Sequence, residues 1–239
     1  MTPHCHYGVN TMCGRFVQNI PFETLQKNFN IRTTASDIIP NYNVAPTQEI
    51  FVIIKHDNEN SLEKLHWGLV PFWAKDISIG SRMINSRAET VVIKPSFRNA
   101  FKKRRCLIPA GGFYEWKGEK GHKQPYYIFI PSGEPFAFAG LWESWSDRKN
   151  DEESVYKSCT IITKAASESI REIHHRMPAI LDPDFYEKWL NIEIQDPKEL
   201  EIILKDGVIH DMKYYSVSTF VNSVKNNEPN CMMPIDENL

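Results

Sequence analysis

The chain has 239 residues, of which 41% are hydrophobic and 12% aromatic. That content supplies a buried core and excludes a disordered chain. A net charge of −2 excludes a global attraction to nucleic acid or membranes, so polyanion binding requires a local basic patch. The first ten residues, MTPHCHYGVN, lack the basic start and apolar stretch of a secretory signal. These features predict a cytoplasmic protein that does not enter a membrane.

The cysteines form an odd, scattered set that has no paired spacing: Cys5, Cys13, Cys106, Cys159 and Cys231. This distribution indicates a reducing compartment rather than a disulfide framework. A metal site built from His4, Cys5, His6 and Cys13 is the alternative, but the spacing matches no standard zinc motif. We therefore expect no metal site and no cofactor.

The predicted elements are mostly strands. After Pro21, FETLQKNF has apolar residues at helical spacing and predicts one short helix. Two late helices follow, capped by Asp182 with Pro183 and by Asp196 with Pro197. Between the first helix and the two late ones, short runs rich in β-branched and aromatic residues predict strands. These runs are 50–55, 64–70, 105–110, 113–117, 126–130, 136–142 and 156–163.

Strands that follow one another without intervening helices favour an antiparallel or mixed sheet. The fold class expected is α+β: a single domain on a curved, mostly antiparallel, barrel-like sheet with peripheral helices. We place this domain at residues 12–227. Residues 1–11 are then an N-terminal extension, 228–239 a flexible tail, and 144–154 a solvated loop between two strands.

Four segments place ionisable or amide groups among apolar neighbours: MCGRF (12–16), MINSRAE (83–89), GGFYEW (111–116) and EIHHRMP (172–178). Burying such groups without partners costs on the order of a few kcal/mol. We therefore expect the four segments to meet one another.

Cys13 has two interpretations. It is either an inert buried residue, or a reactive one whose thiolate is favoured by the charge of Arg15, with Gly14 allowing close approach of a ligand. Similarly, one ring of His174 and His175 is either a solvated group or a proton donor near a bound phosphate.

Glu115 faces opposite to Tyr114 and Trp116 if strand alternation holds, so it points to solvent or into a pocket. Asn85 and Arg87 share one face of an extended segment, a spacing that suits an amide and a guanidinium gripping one ligand.

Alternatively, Arg87 pairs with Glu89. The basic run 102–105 is either a solvated face or a phosphate-binding patch. Unpaired bases would then stack on the aromatic residues nearby in sequence, Phe97, Phe101, Phe113 and Trp116.

Taken together and in order, these motifs resemble the SOS response-associated peptidase (SRAP) family, whose members are also described as abasic-site processing proteins. The resemblance runs from Met12 to about Asn227 and includes MCGRF, NYNVAPTQ, WGLVPFWAK, INSRAET, CLIPAGGFYEWK, QPYYI, FAFAGLWE, TIIT, EIHHRMP and VNSVKNN.

The resemblance implies a covalent chemistry on single-stranded DNA. The α-amine of an N-terminal cysteine condenses with the aldehyde of a ring-opened abasic site, and the thiol closes a thiazolidine ring. It implies catalytic roles for Cys13, Asn85, Glu115 and His174. It also implies DNA contacts by Arg15, Arg87, Trp73, Trp116 and Arg176. The protein is expected to act as a monomer, without cofactor or metal, and to associate with the nucleoid at damaged DNA.

This chemistry requires a free Cys13 amine, which residues 1–12 block as written. Either translation begins at Met12, or the leader is removed, with autoproteolysis one route, or the leader stays and the chemistry is lost. Two other functions stay open. One is an N-terminal-nucleophile glutamine amidotransferase, although its Asn-Gly and Gly-Asp pairs are absent from the chain. The other is a non-covalent single-stranded DNA binding module.

Overall fold

The computed structural model describes residues 13–34, 38–119, 121–147 and 155–235. The predicted extension at 1–11, with Met12 and the first three residues of the alternative metal site, lies outside this range, as does most of the predicted loop at 144–154.

The described chain is built mainly from strands. These are Phe16–Gln18 (β1), Ile31–Thr34 (β2), Asn41–Val44 (β3), Glu49–His56 (β4), Glu59–Trp67 (β5), Asn85–Arg87 (β6), Arg105–Ala110 (β7), Gly112–Lys117 (β8), Gln124–Phe129 (β9), Phe136–Ser146 (β10), Val155–Ala165 (β11), Arg176–Pro178 (β12), Ile180–Leu181 (β13) and Lys213–Ser216 (β14). The α-helices are Phe22–Phe29 (α1), Arg98–Lys103 (α2), Tyr186–Leu190 (α3) and Pro197–Asp206 (α4). Short 3₁₀ turns span Ile77–Arg82, Pro183–Phe185, Thr219–Asn222 and Pro229–Met232.

The strands form two sheets. The smaller has the order β14-β9-β8-β1-β3, and its pairs are antiparallel. The larger runs β12-β11-β10-β7-β4-β5-β2, and β11 also pairs with β5 in parallel. That extra pairing closes β5, β4, β7, β10 and β11 into a ring, so the mostly antiparallel, barrel-like α+β fold is confirmed.

Apolar side chains pack against the barrel in two clusters, one on each face of its sheet. One cluster contains Cys13, Phe16, Trp67, Phe138 and Ile161, and joins the small sheet to the barrel. A second cluster lies under the helices, which therefore pack at the periphery. Cys13 thus lies where the two sheets meet.

Most predicted elements are confirmed, with shifted ends. Helix α1 and strand β7 have the predicted bounds, and Asp196 caps α4 by accepting from Lys198 N at 3.0 Å. Asp182 caps a 3₁₀ turn rather than an α-helix. Strand β10 continues to Ser146, so the loop predicted from position 144 begins later.

The described part of the predicted tail is packed. Pro229–Met232 forms a 3₁₀ turn, Cys231 is fully buried, and Val217 bridges to Pro234. Half of the residues in NNEPNCMMPIDENL are Asn, Asp or Glu, so composition alone does not predict the packing of Cys231 and its neighbours. The domain boundary at 227 stays a prediction.

Candidate functional site

Cys13 is the centre of the candidate site. It lies three residues before the first residue of the small-sheet strand β1 and is fully buried. Its φ of 43° falls in the left-handed region, which costs a residue other than glycine about 1–2 kcal/mol. Its main-chain nitrogen donates to Glu115 Oε1 at 2.7 Å. Burial, and then the charge of Glu115, hold the pKa of the Cys13 thiol well above its usual value. The expectation that Arg15 favours a thiolate is therefore wrong: the thiol is neutral.

Glu115 points into the protein. The ladder between β1 and β8, extended by Tyr114 N donating to Arg15 O at 3.0 Å, brings Glu115 beside Cys13. Tyr114 belongs to a cluster on the other side of the strand, and Trp116 packs against it, as strand alternation predicts. Glu115 is only 4% exposed, and burial raises its pKa to about 8. The solvent-facing alternative is therefore wrong, and at neutral pH the group is mostly a carboxylic acid.

Asn85 approaches Cys13 from the barrel. Strand β6 runs parallel to β11, with Asn85 beside Ile161, and Ile161 N donates to Ile84 O at 3.0 Å. The Asn85 amide nitrogen lies 3.4 Å from Cys13 O, within donating distance. Asn85 and Glu115 therefore hold the two main-chain polar atoms of Cys13 from opposite sheets.

His174 stands on the turn before β12. Its Nδ1 accepts from Arg176 N at 3.1 Å and lies 3.2 Å from Arg176 O. The neutral ring can thus accept a hydrogen bond there, and a protonated ring can donate one. Partial burial lowers the pKa of His174, which favours the neutral form at pH 7.

Lys123 connects His174 with Glu115 electrostatically. It is exposed at the end of the β8–β9 hairpin, and its charge lowers the pKa of both groups, after the larger effect of burial on each. The sequence reasoning missed Lys123, because its only signal was its place directly before the QPYYI motif.

Arg15 is held by other parts of the protein. Its guanidinium donates to Asn43 Oδ1 at 2.6 Å and to Val221 O at 2.8 Å, and it lies 5.7 Å from the centre of the Trp116 ring. Trp116 Nε1 in turn donates to Asn222 Oδ1 at 2.8 Å. The motifs NYNVAPTQ and VNSVKNN therefore supply residues that position Arg15 and Trp116.

Arg176 and Arg87 differ in exposure. Arg176 is buried, donates to Glu89 Oε1 at 2.6 Å and to Thr163 O at 2.7 Å, and so connects β12, β11 and the segment after β6. The alternative pairing of Glu89 with Arg87 is therefore replaced by the pair with Arg176. Arg87 is exposed on β6.

The phenylalanines near the basic run 102–105 are not available for stacking with unpaired bases. Phe97, Phe101 and Phe113 are 8%, 0% and 0% exposed, so they cannot receive a base. Trp73 is 47% exposed on the loop after β5. The expectation for these three phenylalanines is wrong because Phe97 and Phe101 pack in the core under the helices and Phe113 packs in the core between the two sheets.

The described ranges contain neither a metal site nor a membrane-spanning helix. No group of three or more His, Cys, Asp or Glu side chains is placed to hold a metal ion there. No helix of this part of the chain is long and apolar enough to cross a membrane.

Comparison with known proteins gives consistent matches. The chain is 45% identical to the abasic site processing protein YoqW of Bacillus subtilis over 91% of this chain and 97% of that protein. It is 35% identical to the abasic site processing protein HMCES of Gallus gallus, over 82% of this chain and 67% of the relative. A crystal structure of a protein from Bacteroides thetaiotaomicron superposes with a TM-score of 0.79 at 27% identity, over 93% of this chain and 99% of that one. The family model described as "SOS response associated peptidase (SRAP)" matches residues 12–224. The chain therefore belongs to the SRAP family.

Proposed function

We propose that this protein processes abasic sites in DNA by joining Cys13 covalently to the ring-opened sugar. The observation that carries the proposal is the convergence of Glu115 and Asn85 on the main chain of Cys13, at 2.7 and 3.4 Å. The related proteins named abasic site processing proteins support the same substrate.

The reaction begins at the Cys13 nitrogen once it is an α-amine. The neutral amine adds to the sugar aldehyde, and the resulting carbinolamine loses water to form an imine. The thiol sulfur then adds to the imine carbon while its proton passes to nitrogen, which closes the thiazolidine. An α-amine has a pKa of about 8, so a useful fraction is nucleophilic near neutrality.

Two groups supply the proton transfers. Glu115, whose burial raises its pKa to about 8, is mostly protonated at pH 7 and can donate the proton that expels water. His174, with a lowered pKa, is mostly neutral and can accept one. Two groups shifted in opposite directions provide an acid and a base in one site.

Self-processing would expose the amine. In this step the Cys13 thiol attacks the Met12 carbonyl, the peptide C–N bond breaks, and the nitrogen takes a proton. Water then cleaves the thioester and returns the thiol. Asn85, within donating distance of Cys13 O, would fix the orientation of Cys13, and Glu115 and His174 would assist the proton transfers.

Binding of single-stranded DNA is assigned to two exposed residues. Arg87 and Trp73 are exposed, so they can reach a phosphate and a base. Arg15 and Arg176 have intramolecular partners, so their first role is to position the residues of the site.

Strand nicking by β-elimination through the imine is a further expected lyase reaction of the same intermediate.

The test is a denaturing gel of the full chain incubated with a uracil-excised single-stranded oligonucleotide, with mass spectrometry of the mature N-terminus. We expect a denaturation-resistant adduct from the processed protein and none from Cys13→Ala. Cys13→Ser and Cys13→Ala both keep the α-amine but lack the thiol, so any imine that they form should survive denaturation only after borohydride reduction. An adduct of equal yield in Cys13→Ala would refute the proposal, and glutaminase activity without DNA would favour an amidotransferase.

A further inference from the structure

A pocket of about 520 Å³ lies away from Cys13. Its lining includes Phe72, Asn99, Lys102, Lys103, Arg104 and Glu143. A volume of this size lies within the range of about 300–1,000 Å³ typical of small-molecule sites. The residues discussed so far for the reaction do not line it, so the pocket needs its own explanation.

The pocket has an excess of positive charge. Arg104 Nη2 donates to Glu143 Oε2 at 2.7 Å, so the carboxylate in the lining is already paired. Lys102 and Lys103 form no ion pair with the residues that the structure describes. Two lysine charges are therefore left for an anionic ligand.

These lysines are not needed to cap their helix. They lie in the last turn of α2, where a cation ordinarily stabilises the exposed carbonyl groups. Here Arg105, which is buried, donates to Phe101 O at 2.9 Å and to Lys102 O at 2.6 Å. Because Arg105 already donates to those carbonyls, the ammonium groups of Lys102 and Lys103 are available to bind a ligand.

Phe72 supplies an aromatic surface. It is 43% exposed, so its ring is accessible to a ligand. The loop that carries it is held by Ala74 N donating to Pro71 O and by Trp145 Nε1 donating to Ala74 O, both at 2.8 Å. Because the loop is already fixed, the Phe72 ring loses little conformational entropy when a base stacks on it.

The pocket and the Cys13 site lie along the same strands. Glu143 pairs with Ser158 on β11, and Asn85 pairs with Ile161 three residues further, a separation of roughly 10 Å along the strand. Because the offset is odd, the two side chains lie on opposite faces of the sheet. A single strand that reaches from Cys13 to the pocket therefore passes around the edge of the sheet, a path longer than about three stacked nucleotides at 3.4 Å each. The Phe72 loop is also connected to the Asn85 segment, because Leu69 N donates to Met83 O at 3.1 Å.

We propose that this pocket is a second DNA subsite that holds one nucleotide of the single strand flanking the abasic position. Its base stacks on Phe72, and its phosphate lies against Lys102 and Lys103. The inference rests on the proposed function for its ligand, but it concerns reversible binding and not the covalent step.

The test uses fluorescence anisotropy with undamaged thymidine oligonucleotides of four and twelve nucleotides over a salt series. Phe72→Ala should weaken binding of the twelve-mer on the order of tenfold, the usual loss for one stacked base. Lys102→Gln combined with Lys103→Gln should lower the slope of log K against log salt by about 0.7, the value for one phosphate contact on a single strand. The four-mer should respond less than the twelve-mer.

The matched control is Lys205→Gln combined with Lys213→Gln, which removes two exposed lysines from α4 and β14. Lys205 also lies in the last turn of its helix. If the pocket variants and this control change the slope and the affinity equally, the subsite is refuted. Absence of an adduct with the wild-type protein would instead refute the proposed function, while the undamaged oligonucleotides would still test the pocket.

Discussion

The main-chain nitrogen of Cys13 and the side chain of Glu115 are in hydrogen-bond contact at 2.7 Å, across 102 positions of sequence. The contact joins the segment before β1 to the middle of β8, and both residues are buried. After processing, that nitrogen is an amine with an ordinary pKa of about 8, close to the pKa of about 8 that burial gives Glu115. Proton exchange between two such matched groups has almost no energetic cost.

Replacing Glu115 by Gln should slow adduct formation by about 10²–10⁴-fold, because the amide keeps the hydrogen bond to Cys13 but cannot give a proton. The wild-type rate should fall above pH 8, as Glu115 ionises, and Glu115→Gln should lose that limb. Single-turnover rates from pH 6 to 9.5 measure both effects. A variant with a wild-type rate and an unchanged alkaline limb would contradict the acid role.

Glu115 should also make stability depend on pH. Its folded pKa of about 8 exceeds the unfolded value of about 4.3, so its protonated form favours the folded state. This contribution is full below pH 4.3 and is lost as the pH rises to 8, on the order of a few kcal/mol. Denaturant titrations at pH 5 and pH 8.5 should show the wild type losing stability relative to Glu115→Gln, and parallel pH dependence in both proteins would contradict this.

Lys123→Met should shift both limbs of the pH-rate profile to higher pH. The Lys123 charge lowers the pKa of Glu115 and of His174, behind burial in each case, so its removal raises both values. Because the lysine is exposed, solvent and salt screen its charge, so we expect a small shift that shrinks at high salt. Lys123→Arg, which keeps the charge, is the control and should leave the profile in place.

Arg176→Ala and Arg87→Ala should affect different properties. The first removes a buried guanidinium bonded to Glu89 and Thr163, and should lower the free energy of unfolding by about 3 kcal/mol. The second removes an exposed charge, so stability should change by less than about 0.5 kcal/mol while DNA affinity falls. Thermal melts and DNA titrations separate the two, and an unchanged melting temperature in Arg176→Ala would contradict the positioning role.

The sequence predicted the elements whose signal is local. The amphipathic pattern of Phe22–Phe29 and the apolar run in Glu49–His56 need no distant partner to be read. Strands of three residues, such as Phe16–Gln18 and Asn85–Arg87, were missed as strands. They are too short for periodicity, and pairing with residues far along the chain defines them.

The same distinction applies to the site. Cys13 and Glu115 stood out as polar groups among apolar residues, and the structure brings them into contact. Asn43 gave no such signal, yet its side chain is 1% exposed and donates to Asn226 O at 2.8 Å while accepting from Arg15. Its neighbours come from the far end of the chain, so only the folded structure identifies it.

The left-handed backbone at Cys13, with φ of 43°, affects the free energy of cleavage between Met12 and Cys13. The angle φ exists only while another residue is bonded to the Cys13 nitrogen. Cleavage at Met12 would abolish that torsion and release the strain of about 1–2 kcal/mol that it stores. Release of this strain would lower the free energy of the cleaved protein relative to the uncleaved one, so the folded barrel would favour the product that has a free Cys13 nitrogen.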